Sequence, residues 1–187
     1  MGTSSNPSSP NTPGWDLVRA LLGREGVPPD RQATEIWRAA IGERGDLLIG
    51  DLSSPLIAGA CRLASEANSP QTAVDEFESL VLRSREASLA LDLCKRALAR
   101  TVAAGTGSEG FGAELFAEVT SYYASRDLPS FTAAPGRVRT VTEAIRLKRD
   151  LRAFAADVAK STGPIRSDPE GWRDYATRVV NTLQGRQ

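Results

Sequence analysis

The sequence contains no histidine. That absence removes Ser-His-Asp and Cys-His nucleophile systems, histidine-based zinc sites and ordinary imidazole acid–base chemistry. Any catalysis would have to rest on carboxylates, lysine or tyrosine. Cysteine is almost as scarce, with only Cys61 and Cys94, each inside an amphipathic helical pattern. The pair reads as small buried hydrophobes, with a redox pair or a metal site as the alternative. Two thiols without export features imply a reducing, cytoplasmic setting. The N-terminus lacks a basic region followed by an apolar stretch, which excludes a signal peptide. No stretch approaches the ~18 uncharged apolar residues of a membrane span. The myristoylation pattern fails where Asn6 stands in place of Ser or Thr. Strand signals are nearly absent, with neither alternating β-branched runs nor Asn-Gly hairpins. Net charge is zero, so no overall field advertises nucleic acid or membrane.

The 187 residues suit one domain, or one domain and a tail. The expected division is a flexible tail over 1–12 and a single helical domain over 13–187. Residues 1–12 are Ser, Pro, Asn, Thr and Gly without apolar periodicity. They cannot bury enough surface to offset their ordering entropy, and a disordered tail is expected. Beyond them, helical stripes follow one another: Trp15, Val18, Leu21 and Leu22, then Ile36, Trp37, Ala40 and Ile41. Ser54-Pro55, Ser69-Pro70 and Asp168-Pro169 each offer a cap and a first-turn proline. Thr140 and Glu143 form a capping box. Gly45–Asp51 reads as a tight apolar turn or a short helix. Gln71–Ala104 holds neither Gly nor Pro, and is one long helix or two that meet near 83–87. A helix over 113–125 should turn Tyr122 and Tyr123 inward, with 126–139 an irregular connection. The expected fold is all-α, an irregular bundle of about seven to nine helices.

The chemistry-bearing patterns are few. GTGSEGFG at 105–112 has no preceding strand and no Lys-Ser/Thr, and reads as a helix–helix loop. Asp75, Glu76 and Glu78 open a helix, where negative charge complements the macrodipole. No catalytic residue, metal ligand or cofactor site emerges from these patterns. Residues 137–187 carry eleven Lys+Arg against six Asp+Glu, about +5, so the remainder carries about −5. Arg137, Arg139, Arg146 and Arg149 lie in this basic part, and are the candidates for a phosphate-binding stripe. Arg126 and Asp127 follow Tyr122-Tyr123, and either cap a helix or carry a partner surface. Removal of Met1 before so small a residue would leave Gly2 as a free α-amine. With a pKa near 8, a sizeable fraction of such an amine is a nucleophile at neutral pH, unlike lysine. A tail of about twelve residues reaches roughly 40 Å.

Two stretches carry a family resemblance. One is MGTSS ahead of a Ser/Pro tract and a Trp. The other is the C-terminal third, LFAEVTSYYASRDLPSFTAAPGRV, TEAIRLKRDLRAFA and DPEGWRDYATRVVNTL. Together they resemble the QatB-type component of the Qat bacterial anti-phage systems. The resemblance implies a helical, non-enzymatic protein working beside an ATPase, a QueC-like enzyme and a TatD-like nuclease. It implies that the QueC-like partner joins a 7-deazaguanine to the N-terminal glycine, here Gly2. Thr3, Ser4 and Ser5 would flank the acceptor in the enzyme's cleft. No membrane and no nucleic acid is implied as a partner.

Overall fold

The computed structural model describes Trp37 and residues 45–132 and 140–185. Among the described residues seven helices have both ends defined and no strand occurs, as the all-α expectation required. They are α1 (Gly45–Leu52), α2 (Pro55–Glu66), α3 (Pro70–Ser84), α4 (Leu89–Ala104), α5 (Gly107–Thr132), α6 (Val141–Ser161) and α7 (Pro169–Leu183). The expected tail over 1–12, the stripe of Trp15, Val18, Leu21 and Leu22, and Ile36, Ala40 and Ile41 of the second stripe lie outside the described residues, whereas Trp37 is helical and buried as expected.

Local chemistry sets most of the boundaries. Ser54, Ser69, Ser88 and Asp168 each accept a hydrogen bond from a first-turn amide, and proline follows three of the four. At α6, Thr140 Oγ1 accepts from the Glu143 amide while the Glu143 carboxylate accepts from the Thr140 amide. The stretch 71–104 is two helices. Arg85 adopts the left-handed conformation, φ 57°, and its amide returns to the Val81 carbonyl, closing α3 before Ser88 opens α4.

Helix α5 is longer than the sequence pattern predicted. It begins at Gly107 and not near Ala113, and it runs through Pro129 to Thr132. The left-handed turn is confined to Gly105 and Gly107. From there the buried Phe111 and the burial of Gly112 hold two glycines in the helix against their low propensity.

The helices pair as antiparallel hairpins. Lys95 on α4 bridges to Glu78 on α3 at 2.6 Å. Tight turns join α3 to α4 and α4 to α5, while α6 runs back along α5. The main core gathers Ile57, Cys61, Phe77, Cys94, Leu98, Phe111, Phe116, Trp172, Tyr175 and Leu183. Aromatic contacts tie it together: Phe111–Trp172 and Trp172–Tyr175 at centroid distances of 5.6 and 5.5 Å. Trp172 Nε1 donates to the Leu52 carbonyl at 2.7 Å, which fixes α7 on the end of α1. Trp37 Nε1 donates to Thr120 Oγ1 at 2.9 Å in the interior of α5. A second, smaller cluster of Ala124 and Leu151, with Leu147 and Phe154 against it, fills the outer part of the α5–α6 hairpin. No described helix is long and apolar enough to cross a membrane.

Candidate functional site

The densest polar constellation joins three helices. Arg100 on α4 and Arg152 on α6 converge on Glu114 and Glu118, one turn apart on α5. Arg100 NH1 bonds Glu114 Oε1 at 3.0 Å and also Glu118 Oε1. Arg152 NH1 bonds Glu118 Oε1 at 2.6 Å and reaches Ser121 Oγ at 3.4 Å, while its NH2 bonds Glu114 Oε1. The side chain of Glu118 is 7% exposed, so its charge lies in the interior and needs both guanidinium groups. The Arg100 guanidinium is held above its ordinary pKa, first by the hydrogen bond to Glu114, with the Glu118 charge assisting and burial opposing. Sequence reading missed this clasp. The i, i+4 spacing of Glu114 and Glu118 was visible, but their partners were not.

The candidate residues do not come together. Gly2, Thr3, Ser4, Ser5, Arg137 and Arg139 lie outside the described residues. Arg126 is exposed on α5, its guanidinium carbon 4.8 Å from the Tyr123 ring centroid. Asp127 is in α5 as well, and its side chain lies outside the described set. Neither residue ends the helix there, which corrects the expectation of a cap at 126–127. Tyr122, expected inward, is part-exposed. Of the basic run, Arg146 and Arg149 are exposed, yet both face Asp150, at 3.9 and 3.1 Å. Arg152 is taken by the clasp.

The acidic residues of α3, expected to open it, follow its first turn and are divided among structural tasks. Glu78 holds Lys95, and Asp75 Oδ1 accepts from Gln71 Nε2 at 2.7 Å. Asp75 and Glu76 also line a shallow groove of about 390 Å³ between α2 and α3, with Arg62, Ser79 and Arg83. No group of three His, Cys, Asp or Glu suited to a metal occurs among the described residues. Cys61 and Cys94 are fully buried. Burial pushes the Cys61 thiol up to about 12; it raises Cys94 as well, with the neighbouring Cys61 adding to the effect. Tyr175 OH donates to the Ala159 carbonyl at 2.8 Å, and burial raises its pKa. These groups stay protonated and pack.

No family model, no curated protein and no solved structure matches the chain.

Proposed function

We propose that the chain is a non-enzymatic component of a bacterial anti-phage defence system, a helical scaffold whose Gly2 amine is modified by a QueC-like partner enzyme. One observation carries the reading: MGTSS and the C-terminal signature occur in the same chain. The last stretch of the signature, DPEGWRDYATRVVNTL, is a packed helix, since its Trp172, Tyr175, Val179 and Leu183 are all buried. A signature of that kind speaks for a scaffold, and Gly2 is carried over by its position.

The chemistry is that of acyl transfer. The carboxylate oxygen of the 7-deazaguanine attacks the α-phosphorus of ATP on the partner, forming an acyl-adenylate and releasing pyrophosphate. The unprotonated Gly2 amine attacks the acyl carbon, an amide forms, AMP leaves and the amine gives up a proton. Glycine presents no side chain to the incoming carbonyl.

Co-expression with the QueC-like enzyme, followed by intact-mass and N-terminal peptide analysis, tests this. One deazaguanine acyl adduct is expected on Gly2, and a Gly2→Val variant should lack it. An unmodified N-terminal peptide in the presence of active enzyme would defeat the reading. The alternative is a nucleic-acid-binding or adaptor module using 137–152. The exposure of Arg146 and Arg149 favours it, but the Asp150 carboxylate between them works against phosphate. Salt-dependent gel shifts distinguish it.

A further inference from the structure

Four residues of α6 are fully buried: Ala144, Leu151, Ala155 and Ala159. Three of them are alanine, and small side chains make shallow ridges that do little to lock a helix along its axis. Leu147 and Phe154 add part-buried contacts. The clasp is the directional element of this seam. Arg152 binds Glu114 and Glu118, and Arg100 holds the same two carboxylates from α4. Buried polar pairings of this kind are best attested as devices that set register.

The inward face of α6 nearly repeats after four residues. Leu147-Lys148 precedes Leu151-Arg152, and Ala155 precedes Ala159. Four residues make one turn, roughly 6 Å along the axis. A screw motion of one turn toward the C-terminus would put Lys148 where Arg152 lies, Leu147 where Leu151 lies and Ala155 where Ala159 lies. Tyr175 OH now donates to the Ala159 carbonyl at 2.8 Å, and would meet the Ala155 carbonyl in its place. Lys148 is half-buried on this face and makes no ion pair among the described residues. The connection to α7 over 162–168 is exposed except at Thr162 and Ile165, with Gly163 at φ 102°, and has the slack to follow. One exchange resists the step. Leu151 would enter the place of Ala155, which is fully buried, so the observed register is the ground state.

We infer that the clasp is a register lock. It selects the observed packing of α6 on α5 over a second packing, one turn away, in which Lys148 takes the place of Arg152. The difference between the two cations sets the preference. Arg152 reaches Glu118 through NH1 and Glu114 through NH2, and a single ammonium does not reproduce that fork. One-turn ratchets of packed elements serve as conformational switches, and loosening Arg152 frees α6 to step along α5. This device is independent of Gly2 and of the reading built on it.

A distance between two spin labels tests it. Thr142→Cys lies at the exposed start of α6 and Ala103→Cys at the exposed end of α4. Both helices run antiparallel to α5, so the labels sit toward opposite ends, and the step should bring them about 5 Å closer. Cys61 and Cys94 are buried and stay unlabelled. The parent chain should show one distance. Exchanging the cations, Lys148→Arg with Arg152→Lys, preserves charge and composition. It should raise a second, shorter distance to about a tenth of the population or more. Adding Leu151→Ala removes the resisting contact and should raise it further. Arg152→Ala with Lys148→Ala leaves neither register its cation and should lose the shorter distance. A single unshifted distance in the exchanged chain overturns the inference, as does a shorter distance that persists without Lys148. A distribution that broadens without a second peak also overturns it, because the clasp would then only hold the helix and not choose its register.

Discussion

At the scale of single residues, the two thiols show how a core position decides chemistry. Cys61 and Cys94 lie on facing helices and have no contact with water. A thiolate there would lack both solvent and a counter-ion, so the folded protein holds the neutral form. The unfolded chain has no such restriction, and its thiols ionise near the ordinary value of 9.0. Above that pH the unfolded state binds fewer protons than the folded one, and stability falls as pH rises. The contribution is whole below about pH 9 and is lost progressively toward the raised value of about 12 at Cys61. Each thiol adds a slope of about 1.4 kcal/mol per pH unit in that window. Urea unfolding at pH 8, 9, 10 and 11 should therefore show accelerating destabilisation. A Cys61→Ala, Cys94→Ala double variant should lose most of that slope, leaving the part due to Tyr175, which is raised in the same direction. An unaltered slope would mean that the thiols are not sealed from solvent.

At the scale of elements, glycine separates what a sequence can say from what only packing can. Gly59 and Gly112 both sit inside helices, and propensity alone predicts that alanine at either stabilises by about 1 kcal/mol. Their surroundings differ. A Cβ on Gly59 meets only Leu80 Cδ1 at 3.8 Å, an ordinary contact. A Cβ on Gly112 meets Ile165 Cδ1 and Tyr175 OH, both at 2.6 Å, and that hydroxyl is fixed by its bond to Ala159. Gly59→Ala should raise the melting temperature, while Gly112→Ala should cost about 1–3 kcal/mol through overpacking. Thermal unfolding of the two variants checks the opposite signs. The same division explains what was legible beforehand. Ser54, Ser69, Thr140 and Asp168 were readable as caps because a cap is a bond between residues two or three apart. The span of α5 was not, because the low propensity of its glycines is overridden by packing on α7, Phe111 against Trp172 and Gly112 against Tyr175. The break at Arg85 carried no glycine to announce it. The clasp pairs residues 14 and 38 apart on three helices, beyond any local pattern. Asp75, Glu76 and Glu78 do not open α3 as expected: the helix begins at Pro70, with no acidic residue in its first turn. No expected site residue was drawn into the clasp.

At the scale of the whole molecule, stability is distributed unevenly, and α6 crosses the gradient. Its C-terminal half places Ala155 and Ala159 in the main core, over the aromatic group of Phe116 and Tyr175. Its N-terminal half has the buried Ala144 and the small cluster in which Leu147 and Leu151 meet Ala124. The clasp at Arg152 marks the boundary. With so little apolar area buried beyond that point, the outer turns of α6 can open without disturbing the core, and the capping box at Thr140 restrains only the first turn. Native-state hydrogen exchange should resolve this within one helix. Amides of 155–160 should exchange only through global unfolding and follow denaturant with the full slope. Amides of 145–149 should exchange by local opening, about 100-fold faster or more, and with almost no denaturant dependence. Uniform protection along α6 in the free protein would show that the outer hairpin is held by the same cooperative core as the rest.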